Sequence, residues 1–475
     1  MYHNNYTMLC DYYELTMANG YFEAGKKDEI VYFDAFFRQI PDGGGFAITA
    51  GLEQLIDYIK NIKFTKEDVE FLRGKKCFSE GFLEYLMNFR FTGDIWAIPE
   101  GTPVFPGEPI ITVRAPAIEA QFIETYLLLA INHQSLIATK ANRIVRAAGG
   151  RPVAEFGSRR AQGADGAILG ARAAYIGGCA ATACTISDKE YGVPATGTMA
   201  HSWVQMFDSE LDAFRAYCDL YPNNATLLVD TYDVLGSGVP NAIKAFKEKG
   251  ITKCGIRLDS GDIAYLTVKA RKMLDDAGLT ECKIVVSNSL DEGIIRDIIS
   301  QGAEVDSFGV GERLITAKSD PVFGGVYKLV AKEKDGKVIP KIKISENTGK
   351  ITNPHYKKVY RIFSNESGEA IADLMCVHDE VIDTNEPLDL FDPVDTWKHK
   401  KITNYTLREL QVEIFKNGEC VYTSPALSEI RDYCKEQISR LWKEVRRFEN
   451  PHRYYVDLSE RLWNVKHDLL KSKGQ

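Results

Sequence analysis

His201 follows Gly197-Thr198-Met199-Ala200, a run whose small residues let a ligand approach the backbone. At the end of a strand such a histidine would face an active mouth, as nucleophile or acid–base group near neutral pH. A packed or surface imidazole is the competing reading. In Gly255-Ile256-Arg257-Leu258-Asp259-Ser260-Gly261-Asp262, strand alternation points Arg257 and Asp259 to one side. Both are costly inside a protein unless paired or ligand-bound. Arg257 can grip a planar carboxylate through two hydrogen bonds. Asp259 and Asp262, with Asp230 and Asp233, can hold a hydrated Mg²⁺. An internal Arg–Asp salt bridge with an N-cap carboxylate competes with that reading.

Two further segments suit anions. Gly309-Val310-Gly311-Glu312-Arg313 offers two glycines after a strand, the makings of a backbone cradle for phosphate or simply a glycine turn. Gly157-Ser158-Arg159-Arg160-Ala161-Gln162-Gly163 puts paired arginines at a strand end, against which stands a helix start with two solvated arginines. Neither a GxxxxGK[ST] loop nor a GxGxxG fingerprint occurs.

The elements that must position these residues alternate in the middle of the chain. Strand ends are expected at Glu155–Ser158, Gly197–His201, Leu227–Thr231, Gly255–Asp259, Ile284–Asn288 and Ser307–Gly311, with a weaker one near Cys179–Thr185. Helix-like stretches such as Ala242–Glu248 and Asp262–Ala277 separate them. That is the pattern of an α/β fold, open or closed. Polar residues at nearly every strand end favour a barrel, whose strand C-termini converge on one face. The expected divisions are residues 1–145, 146–320 and 321–475. In the first, Val31–Phe37 reads as strand and Leu52, Leu55, Ile56 and Ile59 as a helix face. In the last, hairpins are expected across Lys334-Asp335-Gly336 and Ser367-Gly368, followed by a helix opened by Ser424-Pro425.

Composition narrows the function. The 475 residues carry 66 acidic and 58 basic side chains, net −8, so nothing draws the chain as a whole to nucleic acid or anionic membrane. Met1-Tyr2-His3-Asn4-Asn5 lacks the basic and apolar regions of a secretory signal, and no apolar run is long enough to span a membrane. Ten scattered cysteines without CxxC read as buried thiols of a cytoplasmic protein.

Taken together, these segments resemble the nicotinate phosphoribosyltransferase family over nearly the full length. The matches also include Asp11-Tyr12-Tyr13-Glu14-Leu15-Thr16-Met17, Phe36-Phe37-Arg38, Gly43–Ala47, Pro99-Glu100-Gly101, Leu136–Lys140 and Gly324–Leu329. The resemblance implies an irregular α/β barrel beside an α/β sandwich domain built from the N- and C-terminal regions. It implies a homodimer with shared active sites and an ATP-coupled, ligase-type enzyme. Nicotinate and 5-phosphoribosyl 1-diphosphate would give nicotinate mononucleotide and diphosphate, the first step of NAD salvage from nicotinate. It further implies a phosphohistidine at His201, with Asp259 also catalytic, and nicotinate contacts at Tyr13, Thr198 and Arg257, the tyrosine reaching in from the partner subunit. The phosphoribosyl diphosphate site would draw on Arg159, Arg160, Ser287, Asn288, Gly309, Gly311 and Glu312. Mg²⁺ would use Asp259 and Asp230, stabilising the leaving diphosphate.

Two departures from the family pattern stand out. Glu312 occupies a position where the family often has Thr, and it is expected to point away from phosphate or to meet Arg313. Thr182-Ala183-Cys184 stands where Thr-Ser-Asn is common. Cys376, Cys420 and Cys434 lack metal-ligand spacing, so no structural zinc is expected. Within the class, nicotinamide and quinolinate phosphoribosyltransferases are the rivals. A barrel isomerase or aldolase would need a Lys or a carboxylate base at a strand end, and no expected strand ends in Lys. A non-catalytic ligand sensor would not need His201, Arg257 and Asp259 together.

Overall fold

The computed structural model describes residues 5–473, so Met1–Asn4, part of the segment read for a signal, lie outside them. The chain divides into two compact units, residues 137–321 and residues 1–136 with 322–475. The first division falls inside the helix Glu124–Ala147, earlier than the expected 145.

The central unit is built on six parallel strands. Their order across the sheet is Ala181–Thr182, Val153–Glu155, Ser307–Val310, Lys283–Ser287, Cys254–Leu258 and Ala225–Leu228. Helices connect them, as parallel pairing demands. Two of the crossovers begin with an aspartate cap that satisfies orphan N–H groups. Asp262 accepts from the Tyr265 N–H at 3.0 Å and Asp291 from the Ile294 N–H at 2.9 Å. The strand interiors bury Leu227, Ile256, Leu258, Ile284, Val286, Phe308 and Val310 almost completely. Strands with one face so apolar must be covered by helices, and register is then fixed by the side-chain alternation.

This sheet is an incomplete barrel, because its two edge strands are not paired with each other. The expected strand end at Gly197–His201 does not form. Pro194 lacks a ladder donor, and after a single bridge between Thr182 and Ala195 the chain leaves the sheet. Met199 offers its carbonyl to a side chain instead, and His201 opens the short helix His201–Gln205.

In the other unit, strands from both ends of the chain interleave. Ile30–Phe36 lies between Val326–Lys334 and Ile111–Pro116 in a seven-stranded sheet. Val326–Lys334 and Lys337–Pro340 pair around Asp335-Gly336, both with positive φ, so the return strand starts directly after the turn. Lys357–Ser364 and Ala370–Val377 form the second hairpin. The late helix begins at Leu427 rather than at Pro425. Its N-cap is Ala426, whose N–H donates to the Glu429 carboxylate, and Ser424 plays no capping part. No helix among the described residues is long and apolar enough to cross a membrane.

One buried ion pair locks the second hairpin. Arg361 and Asp373 face each other on paired strands, 1% and 0% exposed, joined by bonds of 2.8 and 2.6 Å. Arg361 also donates to the Pro103 carbonyl and lies against Phe105 and Tyr454. Burial and then Asp373 push the neighbouring Glu108 carboxyl well above its ordinary range. Arg361→Met strands Asp373 as a buried lone carboxylate and should cost about 3–5 kcal/mol, measured by chemical unfolding. A loss under about 1 kcal/mol would mean the pair is not what holds this hairpin.

Candidate active site

Ile256 and Leu258 fill the apolar face of Cys254–Leu258, so alternation turns Arg257 to the opposite face. There its guanidinium is held on three sides. Nε donates to Ser287 Oγ at 2.9 Å, Nη1 to Thr198 Oγ1 at 3.1 Å and the Met199 carbonyl at 3.3 Å, and Nη2 to Asp259 Oδ1 at 2.8 Å. The Ser287 hydroxyl donates to the same Asp259 oxygen, closing a ring of three side chains. The Phe156 ring centre lies 5.7 Å from the guanidinium. The internal Arg–Asp salt bridge therefore exists. It leaves one Nη2 proton without a partner among the described residues, on a side chain still 15% exposed.

Asp230 anchors the neighbouring strand end. Its Oδ2 accepts from the Asp259 N–H at 2.9 Å and from Ser260 Oγ at 2.6 Å. Its Oδ1 is buried with no hydrogen-bond partner. An orphaned carboxylate oxygen is the kind of atom a cation or a donor should satisfy. Asp233 and Asp262 are committed elsewhere, accepting backbone N–H groups at the starts of their own helical turns. The four-aspartate set thus reduces to Asp230 and Asp259, and no group of three or more His, Cys, Asp or Glu stands ready for a metal among the described residues. Two carboxylates suit Mg²⁺ that keeps waters and takes further oxygens from a phosphorylated ligand.

His201 is half-buried, and its Nδ1 lies 3.2 Å from Thr231 Oγ1. Thr231 follows Asp230, so the same strand end sets both groups. With Nδ1 engaged, Nε2 is the nitrogen free to react.

The glycines have a packing cause. A Cβ on Gly309 would stand 2.5 Å from the Phe156 ring, and one on Gly157 would stand 2.6 Å from Ile315. The strand ends can close up only because both lack side chains, and Phe156 thereby comes under Arg257. Glu155, fully buried, accepts from the Gly157 N–H and from Thr182 Oγ1 at 2.7 Å. Burial pushes its carboxyl upward against these hydrogen bonds. Thr182 is thus a structural partner of the turn that carries Arg159 and Arg160, both exposed. Glu312 meets Lys318 at 2.8 Å and comes within 3.9 Å of Arg160, while Arg313 turns to Asp291. The expected Glu312–Arg313 contact is therefore corrected. Lys318, more than any other group, holds the Glu312 carboxyl below its ordinary range. Asn288 and Ser289 both take positive φ, 83° and 52°, a costly turn that exposes the Asn288 amide after its strand.

Arg257, Asp259, Asp230, Ser287, Thr198 and His201 are thus linked in two contact groups at adjacent strand ends. Tyr13 belongs to the other unit, on the helix Tyr12–Glu23, 43% exposed. Thr231 and Phe156 went unnoticed as site residues. Their signal was position alone, one and three residues beyond strands whose neighbours carry the charges.

A parallel sheet whose C-terminal strand ends gather cations, carboxylates and hydroxyls defines an α/β enzyme scaffold. Known proteins specify which. Models of the nicotinate phosphoribosyltransferase N-terminal and C-terminal domains match residues 8–132 and 356–466. The nicotinate phosphoribosyltransferase of Bacillus subtilis is 45% identical over 458 residues, covering 96% of this chain and 93% of the relative. The crystal structure of human nicotinic acid phosphoribosyltransferase superposes with a TM-score of 0.86 at 29% identity, covering 97% of this chain and 99% of that one. That of a nicotinate-nucleotide pyrophosphorylase from Pyrococcus furiosus superposes at 0.70 and 26% identity, covering 92% and 96%. The chain belongs to the nicotinate phosphoribosyltransferase family.

Ser287 is the bridge in the Arg257 ring. Ser287→Ala should cost about 1–3 kcal/mol, because it leaves Nε unsatisfied and takes one of two donors from Asp259 Oδ1. In a double-mutant cycle with Arg257→Met the two changes should be less than additive by about 1–2 kcal/mol. Strict additivity in urea unfolding would mean the bridge carries no energy.

Proposed function

We propose that this cytoplasmic enzyme transfers the phosphoribosyl group of 5-phosphoribosyl 1-diphosphate to nicotinate, coupled to hydrolysis of ATP. The observation that carries the reading is Arg257, a guanidinium gripped on three sides with one N–H edge left open at a strand end. Nicotinate offers a planar carboxylate to such an edge, and charge-assisted pairing there supplies orientation. The fixed Thr198 and the Phe156 ring supply a polar and an apolar wall beside it.

In the reaction the ring nitrogen forms a bond to the anomeric carbon as the bond from that carbon to the diphosphate oxygen breaks. The electron pair leaves with diphosphate. Nicotinate nitrogen is already a nucleophile, so the protein's task is to position it and to stabilise separating charge. Arg159, Arg160 and the backbone of Gly309–Gly311, with Ser287 and Asn288, are the groups we assign to the phosphoribosyl diphosphate. Mg²⁺ fits Asp230 and Asp259, whose orphaned oxygen and unused lone pairs would hold it, and it would neutralise charge on the diphosphate. His201 takes the γ-phosphoryl of ATP on Nε2, releasing ADP, while Thr231 holds Nδ1. Water later returns the phosphoryl as phosphate.

Product analysis with nicotinate, phosphoribosyl diphosphate, Mg²⁺ and ATP tests the whole reading, nicotinate mononucleotide being the expected product. His201→Asn should still form some product but lose ATP stimulation. Label from γ-labelled ATP should be acid-labile, base-stable and absent from the variant. Full ATP stimulation in His201→Asn, or label on another residue, would remove the histidine from the mechanism.

We assign Tyr13 to the active site of a partner subunit in a homodimer. Its exposure, shared with Met17 one turn along, supports this. Mixing inactive Tyr13→Ala and Arg257→Ala subunits should restore activity, because one site per heterodimer escapes both changes. No recovery after demonstrated subunit exchange would place Tyr13 elsewhere.

A further inference from the structure

Two thiols at the starts of the central strands take no part in the reaction above. Lys283 pairs with Gly255 across the parallel strands Lys283–Ser287 and Cys254–Leu258, so Cys282 and Cys254, each one residue earlier, stand opposite each other. Neighbouring strands run about 4.8 Å apart, inside the span of about 4.4–6.8 Å between Cα atoms that a disulfide bridges. Alternation puts Cys254 on the face of Ile256 and Leu258, and Cys282 on that of Ile284 and Val286, away from the Arg257 side chain. A hydrogen bond joins the two sulfurs. The Cys254 sulfur also lies 3.9 Å from the Thr252 carbonyl. Both cysteines are buried, but Thr252, Lys253, Glu281 and Lys283 around them are exposed, so the pair lies just inside the rim of the sheet.

Their surroundings make the two sulfurs unequal. The helix Ile263–Asp276 lays Arg271 beside both. Its guanidinium donates to the Cys282 carbonyl at 2.6 Å and to the Leu279 carbonyl at 2.8 Å, and pairs with Asp275 at 2.7 Å, which fixes the charge in place. The hydrogen bond from Cys282 first, with help from Arg271, holds the Cys254 thiol below its ordinary range against the effect of burial. The same bond, and then burial, push Cys282 up. Cys282 is therefore the donor, and Cys254 is the sulfur that carries charge. A third thiol, Cys218 on the helix Glu210–Leu220, is near Cys254, but burial pushes it up to about 11, which makes it the poorer nucleophile.

We propose that Cys254 and Cys282 are a peroxide-reactive pair that closes to a reversible disulfide. The Cys254 thiolate attacks one oxygen of hydrogen peroxide, the O–O bond breaks, and hydroxide leaves and takes a proton as water, giving a sulfenic acid. Cys282 gives up its proton and attacks the Cys254 sulfur, the S–O bond breaks, and the second oxygen leaves as water. Over both steps the two thiols lose two electrons and two protons, and one peroxide becomes two waters. A second thiol already within hydrogen-bond reach closes the bridge before another peroxide can carry the sulfenic acid further. The bridge ties together the starts of the two strands that Arg257 and Ser287 join further along.

Oxidation of the full chain with a small excess of hydrogen peroxide, quenched by N-ethylmaleimide and digested without reductant, tests this by peptide mass spectrometry. A cross-link joining Cys254 to Cys282 should form about ten-fold or more ahead of oxidation at the exposed Cys77, and dithiothreitol should remove it. In Cys282→Ser, Cys254 should stop at the sulfenic acid and take the trapping reagent dimedone. In Cys254→Ser, Cys282 should take about ten-fold less, because it is the proton donor of the pair. Should a variant not fold, the cross-link map of the unaltered chain decides alone. Equal dimedone labelling of the two variants, a bridge from Cys254 to Cys218, or peroxide treatment that oxidises Cys77 and leaves Cys254 and Cys282 free would overturn the proposal.

Discussion

A guanidinium can sit at a strand end in the interior of a sheet only if its N–H groups are met, and Arg257 meets that condition through three different segments. Ser287 comes from the next strand, Thr198 and the Met199 carbonyl from a loop that leaves the sheet, and Asp259 from its own strand. Each of those groups is in turn fixed by the demand. Ser287 is tied to Asp259, Asp259 donates its N–H to Asp230, and the Gly197–Ala200 segment is held out of strand geometry. The arginine thus organises three adjacent strand ends and a loop around one charge.

The rest of the central unit accommodates that arrangement. Parallel pairing sends every strand C-terminus to one edge, and the apolar faces bury Ile256, Leu258, Ile284 and Val286 to hold register. Glycine at 157 and at 309 allows the Val153–Glu155 and Ser307–Val310 ends to close over Phe156. A side chain at 309 would force the ring, and with it the floor beneath Arg257, to move, and one at 157 would collide with Ile315.

In the second unit, charge is managed differently. Arg361 and Asp373 are wholly internal and pair bidentately, and Lys357 and Asp34, also internal, pair through a single contact. Such pairs specify which strands meet more than they stabilise them.

The α/β alternation, six of the seven strand positions, both C-terminal hairpins and the pairing of Arg257 with Asp259 could be read along the chain, because each rests on local periodicity or on an i, i+2 relation. The failures are those of longer range. Nothing local in Gly197-Thr198-Met199-Ala200 reveals that its carbonyl is claimed by Arg257, so a strand was expected where a loop forms. Lys318 rather than Arg313 neutralises Glu312, because a helical turn brings a residue six positions away closer than its neighbour. Thr231 beside His201 and Phe156 beneath Arg257 are brought together across long stretches of chain. Residue types and spacing determine which chemistry a chain can perform. Which side chains share a site is decided by packing, where the cost of an unmet buried charge selects among arrangements that the sequence leaves open.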